Sequence, residues 1–252
     1  HNPDANTKLA LSVQKDMLPL LGGAKDVYST LTDKDVIDAD LFVVPATSAF
    51  SGGVGAEFLC APRLDNLLSV YSSLNAIINA TPKDIAVCCC FDNEEVGSLT
   101  RQGANSTFLK DVYSRICAFY GYGKEEAAAR SFLLSIDNGH AYHPNYPEFS
   151  AEGHHVSLND GVLIKYNANQ SYTTDGLSAA LLRLLAKKEN LPLQEFTNRS
   201  DLRGGSTLGN LSNGEISFLS ADIGLPQLAM HSCNEILGCK DVETMVSLCR
   251  LY

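Results

Sequence analysis

The chain has 252 residues, 45% of them hydrophobic, which supplies an ordinary core for one large domain or for one domain with part of another. Its 19 Lys and Arg against 29 Asp and Glu give a net charge of -10, and with no basic cluster the electrostatic footprint of a nucleic-acid binder is excluded. No apolar run approaches the ~18 residues of a membrane span, and residues 1–20 lack the basic-then-apolar layout of a signal peptide, so the expected place is the cytoplasm with no membrane partner.

Along the chain, residues 1–55 are weakly patterned and end in the small-residue stretch ATSAFSGGVG, which marks a domain boundary before 56–252. Leu67, Val70, Tyr71, Leu74, Ile77 and Ile78 recur at helical spacing. Phe108, Leu109, Val112, Tyr113, Ile116 and Phe119 do so again before Gly121 and Gly123. A third helix is predicted after Asp175, with Leu177, Leu181, Leu184 and Leu185 on one side, and a fourth around Val242, Met245, Val246 and Cys249. Between the helices, IAVCCCF, SFLLSI, GVLIKY and EISFL are too short for helices and too uniformly apolar for strands with one wet face. The expected fold class is therefore α/β, a three-layer α/β/α sandwich around a central mixed sheet. The eight cysteines form no pair of CxxC motifs and read as reduced core residues.

In open α/β sheets the site lies outside the carboxyl ends of strands. Here Asp92, Glu94 and Glu95 follow IAVCCCF, Asp137 follows FLLSI, His231 follows PQLAM, and Asp65 stands where a helix begins. Three acids closing an apolar run repel one another, so they are either a solvated turn or the wall of a cation site. Carboxylate oxygen and imidazole nitrogen gathered from distant strand ends are the donors of a hard or borderline metal ion, although polar loops readily mimic such sets.

APRLDN, DNEEVGS, SIDNGHAYHPNY and AMHS, in that order, resemble the aspartyl aminopeptidase family of dinuclear zinc metallopeptidases. The likeness extends through LNDGVLIKYNANQSYTTDG and GGSTLG, and so over nearly all of 56–252. It implies a zinc-peptidase-like fold, peptide substrates cut at the amino end, and two zinc ions per subunit in a complete member, with cobalt or manganese as other candidate metals. Residue by residue it implies that Asp65 bridges the ions, that Glu95 and His231 complete one, that Asp137 holds the other, and that Glu94 is the general base. It further implies that His140 binds the substrate carbonyl and that GGSTLG, with Gly205 and Ser206, lines the substrate. Lys165 is the candidate cation for an acidic substrate side chain, against the alternative of a snorkelling surface lysine. Loop shaping is expected of His143, surface positions of His154 and His155, and turn capping or orientation of His231 of Asp92. Residues 1–55, with LALSVQKDMLPLLG, resemble a remnant of the inserted domain through which family members dimerise, and the likeness implies dimers assembling into a dodecamer.

Two departures stand against the likeness. Ser171 occupies a place where much of the family has a basic residue, which weakens an acidic-residue preference. No HTD-like motif supplies the further ligand histidine upstream of APRLDN, so the chain reads as a fragment of a longer one. The ion at Asp137 is then expected to be weak or absent, and an apolar edge or face to be left uncovered. The rival readings are a two-metal amidohydrolase of N-acylated compounds and a catalytically dead assembly protein.

Overall fold

The computed structural model describes residues 9–22, 26–202, 204–205 and 207–252. The chain divides into two units between Ala46 and Thr47. The first holds two short helices, α1 (Val13–Asp16) and α2 (Val27–Leu31). The Asp26 carboxylate caps α2 by accepting from the backbone N–H groups of Tyr28 and Ser29. None of this unit's described side chains is buried.

The second unit begins with β1 (Phe50–Gly52), β2 (Phe58–Ala61) and α3 (Leu64–Asn79). A 3₁₀ turn at Glu94–Val96 precedes α4 (Phe108–Tyr120), α5 (Lys124–Ala129), β3 (Phe132–Ile136) and β4 (Gly139–His140). Next come β5 (Val162–Tyr166), α6 (Gly176–Lys188), β6 (Leu193–Thr197) and α7 (Leu208–Glu215). The unit ends with β7 (Leu219–Gly224), β8 (Pro226–Leu228), β9 (Glu235–Gly238) and α8 (Cys239–Leu251). Among the described residues no helix is long and apolar enough to cross a membrane.

The fold is mixed α/β with mixed sheets, and the strands form two sheets rather than a single central one. One runs β3-β7-β5-β6, with β3 parallel to β7, β7 antiparallel to β5, and β5 parallel to β6. The other runs β1-β2-β9-β8-β4. Alternation along β5 serves two cores: Val162 and Ile164 pack with Leu182, Met245 and Leu248, while Leu163 packs with Phe196, Val156 and Tyr172.

Three sequence expectations are corrected. IAVCCCF is not a strand: no backbone ladder bond forms along it among the described residues, and Ile85 and Val87 lie open to solvent. EISFL starts its strand late, because Glu215 still belongs to α7 and Ile216 N–H bonds back to Ser212, so pairing begins at Leu219. The helices form, but α3 and α6 bury a different face. α3 packs on α8 and buries Ser69, Ser72 and Ala76, side chains short enough for close approach, and leaves Leu67, Tyr71, Leu74 and Ile78 exposed. α6, capped by the reciprocal Asp175–Ser178 box, buries Ser178, Ala179, Leu182 and Ala186 and exposes Leu177, Leu181 and Leu184.

At the start of α8, the fully buried Asp241 accepts from Asn159 N–H at 2.6 Å and Gly161 N–H at 2.8 Å, and so ties the loop before β5 to the helix. Burial pushes its carboxyl up to about 6 despite these two bonds. Asp241→Asn sets an amide NH₂ against one of the two donors. The expected loss is ~1–3 kcal/mol of unfolding free energy in denaturant titrations at neutral pH, and an unchanged midpoint would count against this role.

Candidate metal centre

Asp65 enters the site through an irregular helix start. Arg63 sits at φ 60°, Asp65 and Asn66 have non-helical dihedrals, and the Asp65–Asn66 peptide is cis. Two cross-links hold this turn to the end of β3. Asn66 Nδ2 donates to Ile136 O at 2.8 Å, and Asn138 Nδ2 donates to Leu64 O at 3.1 Å. Each asparagine follows one acid, Asp65 or Asp137, and bonds the carbonyl just before the other. Gly224 of β7 lets that strand approach, since a Cβ there would meet Asp137 O at 2.0 Å.

The paired glutamates stand on the 3₁₀ turn, where successive side chains are ~120° apart and so point in different directions. Gly97 ends the turn at φ 104°, a conformation that favours glycine, and its N–H returns to Glu94 O at 2.9 Å. His231 comes from the loop between β8 and β9 at φ 65°, with its N–H donated to Glu235 Oε1 at 2.6 Å.

These elements bring three ligand atoms together. His231 Nε2 lies 3.1 Å from Asp65 Oδ2 and 2.9 Å from Glu95 Oε1, and one atom from each of the three residues lies within 4.8 Å of the others. Among the described residues no other trio of His, Cys, Asp or Glu gathers so closely. Asp65 has a side chain only 6% exposed, and its Oδ1 is buried without a hydrogen-bond partner among the described residues. Burial first, then the charges of Asp137 and Glu95, push its carboxyl up to about 6. Burial works against a charged His231, but Glu95 and Asp65 outweigh it and hold the imidazole above its ordinary value. An orphaned oxygen, crowded carboxylates and an imidazole between them fit a borderline divalent cation such as zinc.

Around this trio stand the other candidates. Glu94 is pushed up to about 7 by burial and then by Asp137, Glu95 and Asp65. Asp137 Oδ2 pairs with Lys165 Nζ at 3.1 Å, and the same ammonium donates to Asn138 O at 2.6 Å and lies 5.3 Å from the Tyr172 ring centroid. Lys165 is 2% exposed, so it is a buried cation and not a snorkelling surface lysine. His140 is held below its ordinary value by burial and then by the charges of Lys165 and His231.

The loop residues sort by their bonds. Gly205 has open space where a Cβ would stand, and Ser206 lies outside the described residues. His143 Nδ1 accepts from Asn145 N–H at 3.2 Å, within its own loop. His154 is exposed and His155 stacks on Tyr142. Asp92 accepts from Asn93 N–H at 2.8 Å as a turn cap, and Ser171 N–H turns toward Asn167 Oδ1. Sequence reasoning missed Glu235, Asn66 and Asn138, whose bonds run to the backbone of the candidate ligands and their neighbours. A charged residue opening the otherwise apolar run EILG was the available signal for Glu235.

Over residues 4–252 the sequence matches the family model described as aminopeptidase I zinc metalloprotease (M18). The chain belongs to the M18 family. A Clostridium novyi (strain NT) protein named "Probable M18 family aminopeptidase 2" is 38% identical over 257 residues, which cover 95% of this M18 chain and 59% of that protein. A cryo-EM structure of an Ape4 and Nbr1 complex superposes at TM-score 0.76 with 38% identity, over 82% of this chain and 41% of that one. The mApe1 dodecamer of S. cerevisiae gives TM-score 0.70 at 31% identity, over 81% of this chain and 48% of that one. The M18 chain spans about three fifths of the length of the curated relatives it matches.

Proposed function

We propose that this M18 chain carries the metal site of a zinc-dependent aminopeptidase that removes single residues from the free amino ends of peptides. One observation carries the reading: Asp65, Glu95 and His231, far apart in sequence, present one oxygen or nitrogen each within 4.8 Å. These three residues would hold the ion, and Asp65, whose second oxygen has no partner among the described residues, and Asp137 would be the candidates for a second, more weakly held one. Zinc, when bound, supplies Lewis acidity and brings the pKa of a coordinated water from 15.7 to about 7.

The chain's own residues supply the rest. Glu94 takes a proton from the attacking water and returns it to the leaving amine. His140, which burial and then the charges of Lys165 and His231 hold below its ordinary value, is the proposed donor to the substrate carbonyl oxygen. An acidic-residue preference draws on Lys165, but Asp137 already neutralises that ammonium, so the preference is modest. By likeness to the S. cerevisiae dodecamer, and given the exposed leucine faces of α3 and α6, the proposed assembly is a homo-oligomer of dimers reaching twelve subunits.

Metal analysis and a substrate panel test the reading. One tightly held zinc per chain is expected after dialysis, because Asp137 is engaged by Lys165; two tightly held ions would reveal a ligand missing from this set. Cleavage of free aminoacyl substrates is expected, and cleavage of N-acylated ones alone would replace the aminopeptidase by an amidohydrolase.

A further inference from the structure

We propose that Glu235 is a positioning residue that fixes Asp65 and His231 relative to one another and thereby shapes the zinc site. The proposal rests on the zinc reading above. Glu235 is 2% exposed, and its two oxygens are divided between two backbone donors. Oε1 accepts from His231 N–H at 2.6 Å, and Oε2 accepts from Asp65 N–H at 3.0 Å. A single carboxylate therefore joins two candidate ligands that lie 166 residues apart in sequence.

Several features argue against a role confined to the local turn. The turn has hydrogen bonds of its own: Ser232 N–H to Ala229 O at 3.0 Å, Ser232 Oγ to Asn234 O at 2.7 Å, and Asn234 N–H to Ser232 Oγ at 3.2 Å. Closing it needs only one oxygen of Glu235, and the second reaches another element. Strand pairing brings that about, since Glu235 of β9 stands opposite Ala61 of β2, four residues before Asp65. His231 also occupies the left-handed region, which a non-glycine residue keeps only when its surroundings impose it. The bond from its N–H to a buried carboxylate supplies such a constraint, and charge-assisted bonds of this kind are short and strong. A buried carboxylate is costly unless donors surround it, so the two amides and Glu235 depend on one another.

Glu235→Gln keeps the shape but turns an NH₂ group toward one of the two amides, and Glu235→Asp is a methylene too short to reach both. The experiment measures zinc affinity of the full chain by chelator competition, the visible absorption of its cobalt(II) form, and melting of the metal-free form. Both variants are expected to bind zinc ~10–100-fold more weakly than wild type and to show an altered cobalt band, in samples still folded at the assay temperature. Wild-type affinity together with an unchanged band in folded Glu235→Gln overturns the proposal and leaves the zinc reading standing. A wild-type chain that binds no zinc overturns the zinc reading and the proposal with it. Should the variants not fold, amide hydrogen exchange on the metal-free wild type decides: slow exchange at Asp65 and His231 supports the clamp, and exchange as fast as in an unstructured peptide overturns it.

Discussion

Glu94→Gln is expected to lower kcat on aminoacyl substrates by ~10²–10⁴-fold while zinc content stays at the wild-type level. The reason lies in the division of labour on the 3₁₀ turn. Glu95 Oε1 is 2.9 Å from His231 Nε2 and belongs to the trio, whereas Glu94 contributes no atom to it. In the metal-free chain, burial and then the charges of Asp137, Glu95 and Asp65 push Glu94 up to about 7. A carboxylate next to the trio but not part of it can accept a proton from water and return it in the same turnover. An ion held among the same carboxylates offsets their charge, so in the zinc-loaded chain the acid limb of the kcat profile falls below pH 7, and the glutamine variant lacks that limb. Steady-state kinetics beside metal analysis checks this. Unchanged kcat removes Glu94 from the chemistry, and lost zinc makes it a ligand.

Short, distinctive motifs made one part of the candidate site legible in the sequence, the trio of Asp65, Glu95 and His231. All three stand in motifs that resemble the aspartyl aminopeptidase family, and the structure brings one donor atom of each within 4.8 Å of the others, although the run before Glu95 is not the strand its apolar pattern suggested. What sequence could not give is the scaffolding, because it consists of side chain to backbone bonds across 70 residues or more. Asn66 to Ile136, Asn138 to Leu64 and Glu235 to Asp65 leave no periodic trace. The helix faces were misread for a related reason. Periodicity reports which face of α3 is apolar, and the leucines and tyrosine on it are exposed, while Ser69, Ser72 and Ala76 are buried because their small size admits α8. Lys165 shows the same blindness in reverse. A lysine at a strand end suggests a free cation, yet its charge is buried against Asp137, and only the fold shows that the pair exists.

Asp65→Asn is expected to weaken zinc binding more than 100-fold, beyond the 10–100-fold typical of residues that only support ligands, because it removes an anionic oxygen shared by the whole trio. The same substitution has a second, opposite signature in the metal-free chain. The folded Asp65 carboxyl lies at about 6 against an ordinary 3.8, so the folded state holds that proton more tightly than the unfolded state does. Its contribution to stability is therefore full below pH ~4 and is lost as pH rises to ~6, a change of roughly 3 kcal/mol. His231, held above its ordinary value, works in the same direction, since its charged form pairs with Asp65 and Glu95 and that pairing is lost as pH rises. Metal-free wild type should then melt lower at pH 7.5 than at pH 5, and zinc should restore it at pH 7.5 by ~4 kcal/mol when present at a thousand times its Kd. In Asp65→Asn the carboxyl is gone, so the pH dependence flattens and added zinc gives little recovery. Melting curves at the two pH values, with and without zinc, separate these effects. A variant that still gains wild-type protection from zinc would remove Asp65 from the site. A wild type that melts higher at pH 7.5 without metal would show that the crowded carboxylates do not oppose one another as their geometry requires.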